Sequence, residues 1–321
     1  MIALQAILVG MMTLLVTGGT GTTDTPPATE EGANQAVVTD IAAPAEDGEA
    51  LEPVGPFVPL QPDPPDETPQ RWLPLVQPIA EHFFVMLTNP VNNGEIIEGD
   101  QMTISWKTGG PVAKVRLYYE YENCRFAGAF RGKVGQIIGG GMLPNTGQQS
   151  WTVPWMDTYQ LRLRIAAYDD SNALIDAEEV GLQYRPKELR DLPPTAIGII
   201  KSRQRLYYFE NGKIRRMHII STAMPGYSTP VMEPGSYDSR RGRMGQVFYK
   251  DPAAFSHRYQ CMMYYWMAIT SSGSHGIHAT SAPFYHRLGG PASHGCVRQH
   301  RADARKLYQM VQVGTPVYVR Q

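Results

Sequence analysis

The sequence predicts a mainly β protein, with two folded β domains behind an N-terminal apolar segment and a disordered tether, and one short helix near the C-terminus. Three observations predict it. Residues 83–184 hold short alternating or aromatic-rich runs separated by turn signals. Asn211-Gly212 sits between two strand-like runs, a strong hairpin signal. Helical patterning with a glycine stop is confined to RADARKLYQMVQVG, residues 301–314.

The 321-residue chain opens on IALQAILVGMMTLLVTGG. This apolar run has the length of a signal-peptide core and is short for a full membrane span. No Lys or Arg precedes it, and no Ala-x-Ala site follows it. The acidic, Pro-rich tract behind it offers no core to join. Residues 1–19 are therefore expected to be a signal peptide or membrane anchor, and the protein to be exported to the periplasm or cell envelope. Residues 20–80 read as a disordered Pro/acidic linker. In PVGPFVPLQPDPPDETP, proline removes backbone donors and fixes φ, so neither helix nor central strand forms.

Residues 81–186 are expected to form a β-sandwich. The runs MTISWKT, AKVRLYYEY, QSWTVPW and YQLRLRIAAYD are its strands, and NNGE, TGG, PNTG and DDSN are turns. Trp106 and Trp151 are its expected core residues. The glycines at 139–141 read as a hairpin loop, since no Gly-Lys-Ser/Thr follows and no helix opens there. The domain resembles bacterial immunoglobulin-like modules, and nothing in it proposes chemistry.

After the joint RPKELRDLPPT, residues 195–321 form a second β-rich domain. AIGIIKSRQRLYYFENGKIRRMHIIST holds the hairpin, MMYYWMAIT (262–270) a further strand, and TPVYVR a closing strand after the helix. Between them lies the loop-rich PGYSTPVMEPGSYDSRRGRMG. Charge is unevenly spread. Residues 1–70 have eleven Asp/Glu and no Lys/Arg, whereas residues from Thr195 onward have 17 Lys/Arg against 5 Asp/Glu, a net of +12. A basic domain attracts an anionic partner: nucleic acid, anionic lipid or a carboxylate-rich wall polymer. The arginines of DSRRGRM lack the interleaved aromatics of a nucleic-acid stacking platform, so no nucleic-acid partner is expected.

Chemistry concentrates in SHGCVR, Ser293 to Arg298. The chain has three cysteines, an odd number that leaves at least one free or paired between chains. Cys124 and Cys261 are expected to be buried thiols, acting as small hydrophobes. Cys296 has three readings: a staple, a zinc ligand or a nucleophile. His275, His278, His286, His294 and His300 stand nearby in sequence, but there is no Cys-x2-Cys pair and no HExxH helix, so no metal site is expected. The nucleophile reading fits the neighbours better. A histidine lowers a thiol's pKa and accepts its proton, and a preceding glycine lets backbone approach substrate. Adjacent backbone N–H groups would then receive an oxyanion.

The stretch YYWMAITSSGSHGIHATSAPFYHRLGGPASHGCVR resembles the catalytic signature of the L,D-transpeptidases, the YkuD-type domain. His278 and Ser293 are separated by residues 279–292, within that family's spacing between its histidine and its Ser/Thr-His-Gly-Cys motif. The resemblance covers about residues 195–321 and implies an L,D-transpeptidase-type catalytic domain. It implies Cys296 as nucleophile, His278 as general base and acid, and Gly295 and Cys296 as backbone oxyanion donors. Ser293, His294, Arg298, Tyr265 and Trp266 are the implied substrate-binding residues. Two departures stand out: Ala279 follows the histidine, where Gly or Ser is common, and Gln299 follows Arg298.

The implied reaction is attack on a peptidoglycan stem tetrapeptide, release of D-alanine, and resolution of the thioester by an amine, giving a 3–3 cross-link or an anchored envelope protein. No cofactor is implied. Carbapenem-type β-lactams are implied inhibitors. The alternatives are an L,D-carboxypeptidase or related hydrolase of the same fold, and a non-catalytic wall-binding module, whose mark would be a missing Cys or His.

Overall fold

The computed structural model describes residues 82–126 and 132–321. The expected signal or anchor segment and the linker lie outside these residues. Among the described residues, no helix is long and apolar enough to cross a membrane.

The first domain is built from β1 (Phe84–Asn89), β2 (Glu95–Ile97), β3 (Gln101–Gly109), β4 (Lys114–Glu122), β5 (Lys133–Pro144), β6 (Gln148–Thr152), β7 (Gln160–Tyr168) and β8 (Leu174–Arg185). They form two sheets, ordered β1-β3-β6 and β2-β8-β7-β4-β5. Strict alternation explains why these runs are half-buried strands. In β7, Leu161, Leu163 and Ile165 are buried while Arg162 and Arg164 are exposed. Trp106 and Trp151 join Ile104, Leu117 and Tyr184 in one apolar core, and the Trp106 indole N–H donates to Asn145 Oδ1 at 2.9 Å.

The glycines at 139–141 depart from expectation. They lie inside β5 as a bulge, because Arg116 pairs with Met142 while Leu117 pairs with Ile138. Their φ values of +77°, +81° and +155° are affordable only to glycine.

The second domain runs through β9 (Ala196–Ile200), β10 (Arg205–Glu210), β11 (Lys213–Ser221), β12 (Tyr237–Asp238), β13 (Gly242–Ser256), β14 (Cys261–Thr270), β15 (Gly276–Ala279), β16 (Val297–Gln299), α1 (Arg301–Met310) and β17 (Val317–Arg320). The strands make one nine-stranded sheet, ordered β12-β13-β14-β15-β16-β11-β10-β9-β17. Asn211 and Gly212 turn the β10–β11 hairpin at φ +53° and +76°, the two positive values a tight two-residue hairpin needs. The pairs β15–β16 and β9–β17 are parallel. The long strand β13 falls partly in the stretch read as loop-rich. The helix stops at Met310 rather than running to Gly314, because Val311 turns to extended backbone and buries its side chain in the core.

Both domains belong to one compact unit, and arginines of the second tie it to the first. Arg203 donates to both oxygens of Glu98, at 2.7 and 2.9 Å, and to Glu188 at 2.8 Å. Arg205 holds both oxygens of Asp157 at 2.7 Å. Planar guanidinium forks suit such paired carboxylate contacts. Burial would raise the Glu98 carboxyl, but its bonds to Arg203 reverse this and hold it below the usual range.

Candidate active site

The site is assembled by a sheet register. β15 and β16 run parallel, with Ile277 opposite Val297 and His278 opposite Arg298. Ile277 and Val297 point into the apolar core. Side chains alternate along strands, so His278 and Arg298 share the other face, while Cys296 lies in the bend just before β16, its thiol taking a hydrogen bond from the Gly276 N–H of β15 and feeling the charge of Arg298. His278 is buried, and its Nδ1 donates to the Ala279 carbonyl at 2.8 Å. That carbonyl only accepts, so the proton sits on Nδ1 and Nε2 is left as the acceptor. Ala279 in place of glycine or serine therefore costs nothing, since the orienting group is backbone.

Burial sets the electrostatics. It pushes the His278 imidazole down to about 4, against the pull of the Ala279 carbonyl and with a further push from Arg298. It also pushes the Cys296 thiol up, against a backbone hydrogen bond from Gly276 and the charge of Arg298. The resting pair is thus neutral thiol and neutral imidazole, not the preformed thiolate that a histidine neighbour suggests in sequence. Desolvation outweighs the local charges.

Trp266 packs its ring on His278, with centroids 5.7 Å apart, and is itself buried. It shields the imidazole. Gly276 makes room for it, since a Cβ there would lie 2.6 Å from the indole. Tyr265 does not join the pair. Its φ of +58° breaks the strand alternation, and its ring packs on Tyr308 of α1 at 5.8 Å.

Ser293 also differs from expectation. It is fully buried, and its hydroxyl donates to the Cys296 carbonyl at 2.6 Å while accepting from the Gly295 N–H at 3.1 Å. It shapes the motif turn rather than offering a substrate contact. The same bond occupies the Gly295 N–H, so of the two expected oxyanion donors only that of Cys296 remains a candidate. His294 is flanked by two tyrosines, edge-on to Tyr227 at 4.5 Å and stacked on Tyr259 at 4.8 Å. Arg298 donates to the Ala292 carbonyl at 3.3 Å.

Sequence reasoning missed the supports of the turn. Gly295 has φ +140°, and a Cβ on it would lie 2.8 Å from His275 Nε2. His275 Nε2 donates to the Ser228 carbonyl at 3.0 Å. Buried Thr229 donates to the Gly295 carbonyl at 2.7 Å and accepts from the Ala223 N–H at 3.0 Å. No motif signal marks Thr229, and His275 was only one histidine among five. Among the described residues none of the three cysteines is in a disulfide. Cys124 is half-buried and bonds the Met217 carbonyl at 3.5 Å, but Cys261 is exposed at the start of β14 rather than buried.

Residues 194–319 match the family model of YkuD, the L,D-transpeptidase catalytic domain. This segment is a YkuD domain. No curated protein matches the chain. Similar solved structures include the Ldtfm–avibactam carbamoyl enzyme, at 25% identity and TM-score 0.33, covering 40% of this chain and 50% of that one. The chain thus matches about half the length of that protein. An L,D-transpeptidase from Mycobacterium smegmatis is 15% identical at TM-score 0.35, covering 75% of this chain and 100% of the other. L,D-transpeptidase 3 from Mycobacterium tuberculosis, in complex with a faropenem-derived adduct, is 15% identical at TM-score 0.33, covering 74% and 97%.

Proposed function

We propose that this protein is a cysteine-dependent L,D-transpeptidase of peptidoglycan, working in the cell envelope. The observation that carries this is the β15–β16 pairing, which sets His278 opposite Arg298 and brings the Cys296 thiol, in the bend before β16, onto the Gly276 N–H of β15, with no other partner on His278 Nε2 among the described residues. The stem tetrapeptide is the donor. Cys296 Sγ attacks the carbonyl between the third residue, a diamino acid, and D-alanine, and its proton passes to His278 Nε2. The oxyanion is received at the Cys296 N–H. The C–N bond then breaks, His278 returns the proton to the leaving amine, and D-alanine departs. A thioester remains. An acceptor amine attacks it, gives its proton to His278 and restores the thiol.

The +12 domain suits a carboxylate-bearing wall polymer. Carbapenem-type β-lactams, as strained acyl donors, would acylate the same sulfur. The presence of both Cys296 and His278 opposes a purely wall-binding role.

The test is mass spectrometry of products from the full-length protein and disaccharide-tetrapeptide. A dimer lacking one D-alanine is the expected result. Tripeptide alone would replace the transpeptidase with the carboxypeptidase. Unchanged substrate, with Cys296 still alkylated by a thiol reagent, would overturn both.

A further inference from the structure

Between the β-sandwich and the YkuD domain lies a cavity of about 430 Å³, on residues the reaction does not use. Two of its lining residues present buried acceptors with no partner: Asp303 Oδ2 and Gln183 Oε1. Asp303 is 6% exposed. Beside them stands buried His218, whose Nδ1 bonds Gln299 Oε1 at 2.6 Å. Burial holds His218 below the usual imidazole range, so it is neutral near pH 7 and adds no positive charge beside those acceptors. The depth of the cavity therefore asks for a donor.

The rim asks for the opposite. Arg125, Lys133, Arg216 and Lys306 line it and are exposed. Among the described residues none of the four is in an ion pair. Glu120 and Glu122 line it too, and Glu120 lies 3.8 Å from Arg162. A phosphate or other simple anion would meet the buried carboxylate. A neutral sugar would leave the rim cations unmatched.

We propose that this cavity binds a zwitterionic amino acid or peptide end, with its ammonium inward at Asp303 and Gln183, beside His218, and its carboxylate outward at Arg216 and Lys306. An ammonium brings donors and no acceptor, which suits the unpartnered Asp303 Oδ2 and Gln183 Oε1. Carboxylate at the rim matches the unpaired cations. His218 bonds Gln299, the residue after Arg298 on β16, so one hydrogen bond separates this cavity from the strand of the active site.

The ligand class stands on the cavity; using a stem peptide as one probe rests on the proposed function. The experiment uses full-length Cys296→Ala protein, which cannot turn over. Calorimetry is run with free lysine and with a stem tripeptide bearing a free diamino-acid ammonium, each to millimolar concentration. Saturable binding of at least one is expected. It should weaken by about tenfold or more when that ligand's amines are acetylated, and likewise in the Arg216→Glu/Lys306→Glu variant. Both substituted residues are exposed, so the fold is not at stake. Hydrogen exchange should show protection at residues 120–125 and at the start of α1. Failure of both probes, binding indifferent to acetylation or to the rim variant, or protection confined to residues 293–298 would overturn the proposal. Wild-type turnover of tetrapeptide, measured separately, decides the catalytic reading, so either idea can fail alone.

Discussion

His278 faces Arg298 across the parallel pair β15–β16, and the Cys296 thiol, in the bend that leads into β16, takes a hydrogen bond from the Gly276 N–H of β15. β15 and β16 are separated by residues 280–296 in sequence, and the sheet makes them neighbours. Hydrogen bonding fixes the tautomer, and burial fixes the protonation state.

The first prediction concerns pH. With His278 pushed down to about 4, the acid limb of kcat/KM should fall near pH 4, well below the 6.5 of a free imidazole. With the Cys296 thiol raised, alkylation at pH 7 should be slower than for a free cysteine. The stability sign follows from the same shift. The unfolded chain takes up this proton below pH 6.5 and the folded chain only near 4, so this contribution to stability is intact above 6.5 and declines as pH falls between them. A limb at 6 to 7, with fast alkylation, would mean a preformed thiolate–imidazolium pair.

Removing either partner should abolish turnover without unfolding. Cys296→Ala and His278→Gln are each expected to lower kcat by about a thousandfold or more. Circular dichroism should be unchanged. Retained turnover in Cys296→Ala would refute the mechanism.

Gly295→Ala should be worse than its size suggests. The residue's φ of +140° disfavours any side chain, and the new methyl would press on His275. A cost of about 1–3 kcal/mol is expected from such strain. Thermal denaturation together with kcat reads it, and an active variant of wild-type stability would show that the turn adapts.

Thr229→Val keeps the shape and removes the hydroxyl that bonds the Gly295 carbonyl and the Ala223 N–H. Leaving buried groups unsatisfied costs about 1–3 kcal/mol. Since Thr229 touches the motif turn rather than the reacting atoms, the expected result is lower stability with a partial loss of kcat. A fully inactive but stable variant would give Thr229 a closer role.

At the domain junction, Arg203→Ala should destabilise by about 3–5 kcal/mol, because Glu98 is left buried without its partner. The wild type should show the linked acid response. Glu98 is held below its usual range, so its contribution is present above pH 4.5 and is lost as pH falls through its lowered value. Denaturation midpoints from pH 7 to 3, compared between wild type and Arg203→Ala, check both statements. An equal acid response in the two would sink this one.

Strand patterning was readable wherever one face is wet. In β4 and β7 the period of two is written directly in the residues, and Asn211-Gly212 announces its turn through the positive φ it demands. Residues 139–141 were misread because loops and bulges ask glycine for the same conformations, and only the pairing of β4 with β5 tells them apart. Tyr265 was misplaced because a single positive φ reverses which face a side chain meets. Ser293 and the Gly295 N–H were assigned to substrate, but the turn uses them on itself. Cys261 was expected inside as a free thiol and lies exposed at a strand start.

By itself the sequence determined the mainly β class, the order of the two domains, the hairpin, the C-terminal helix and the pairing of Cys296 with His278 as candidate nucleophile and base. Those rest on local periodicity, turn chemistry and a motif with a fixed spacing. Only the tertiary structure decided the neutral state of that pair, the supports from Thr229 and His275, the arginine ties between domains and the cavity beside His218. Each depends on burial, or on contacts between residues distant in the chain. Desolvation, orphaned acceptors and close approach arise only when separate segments exclude water together.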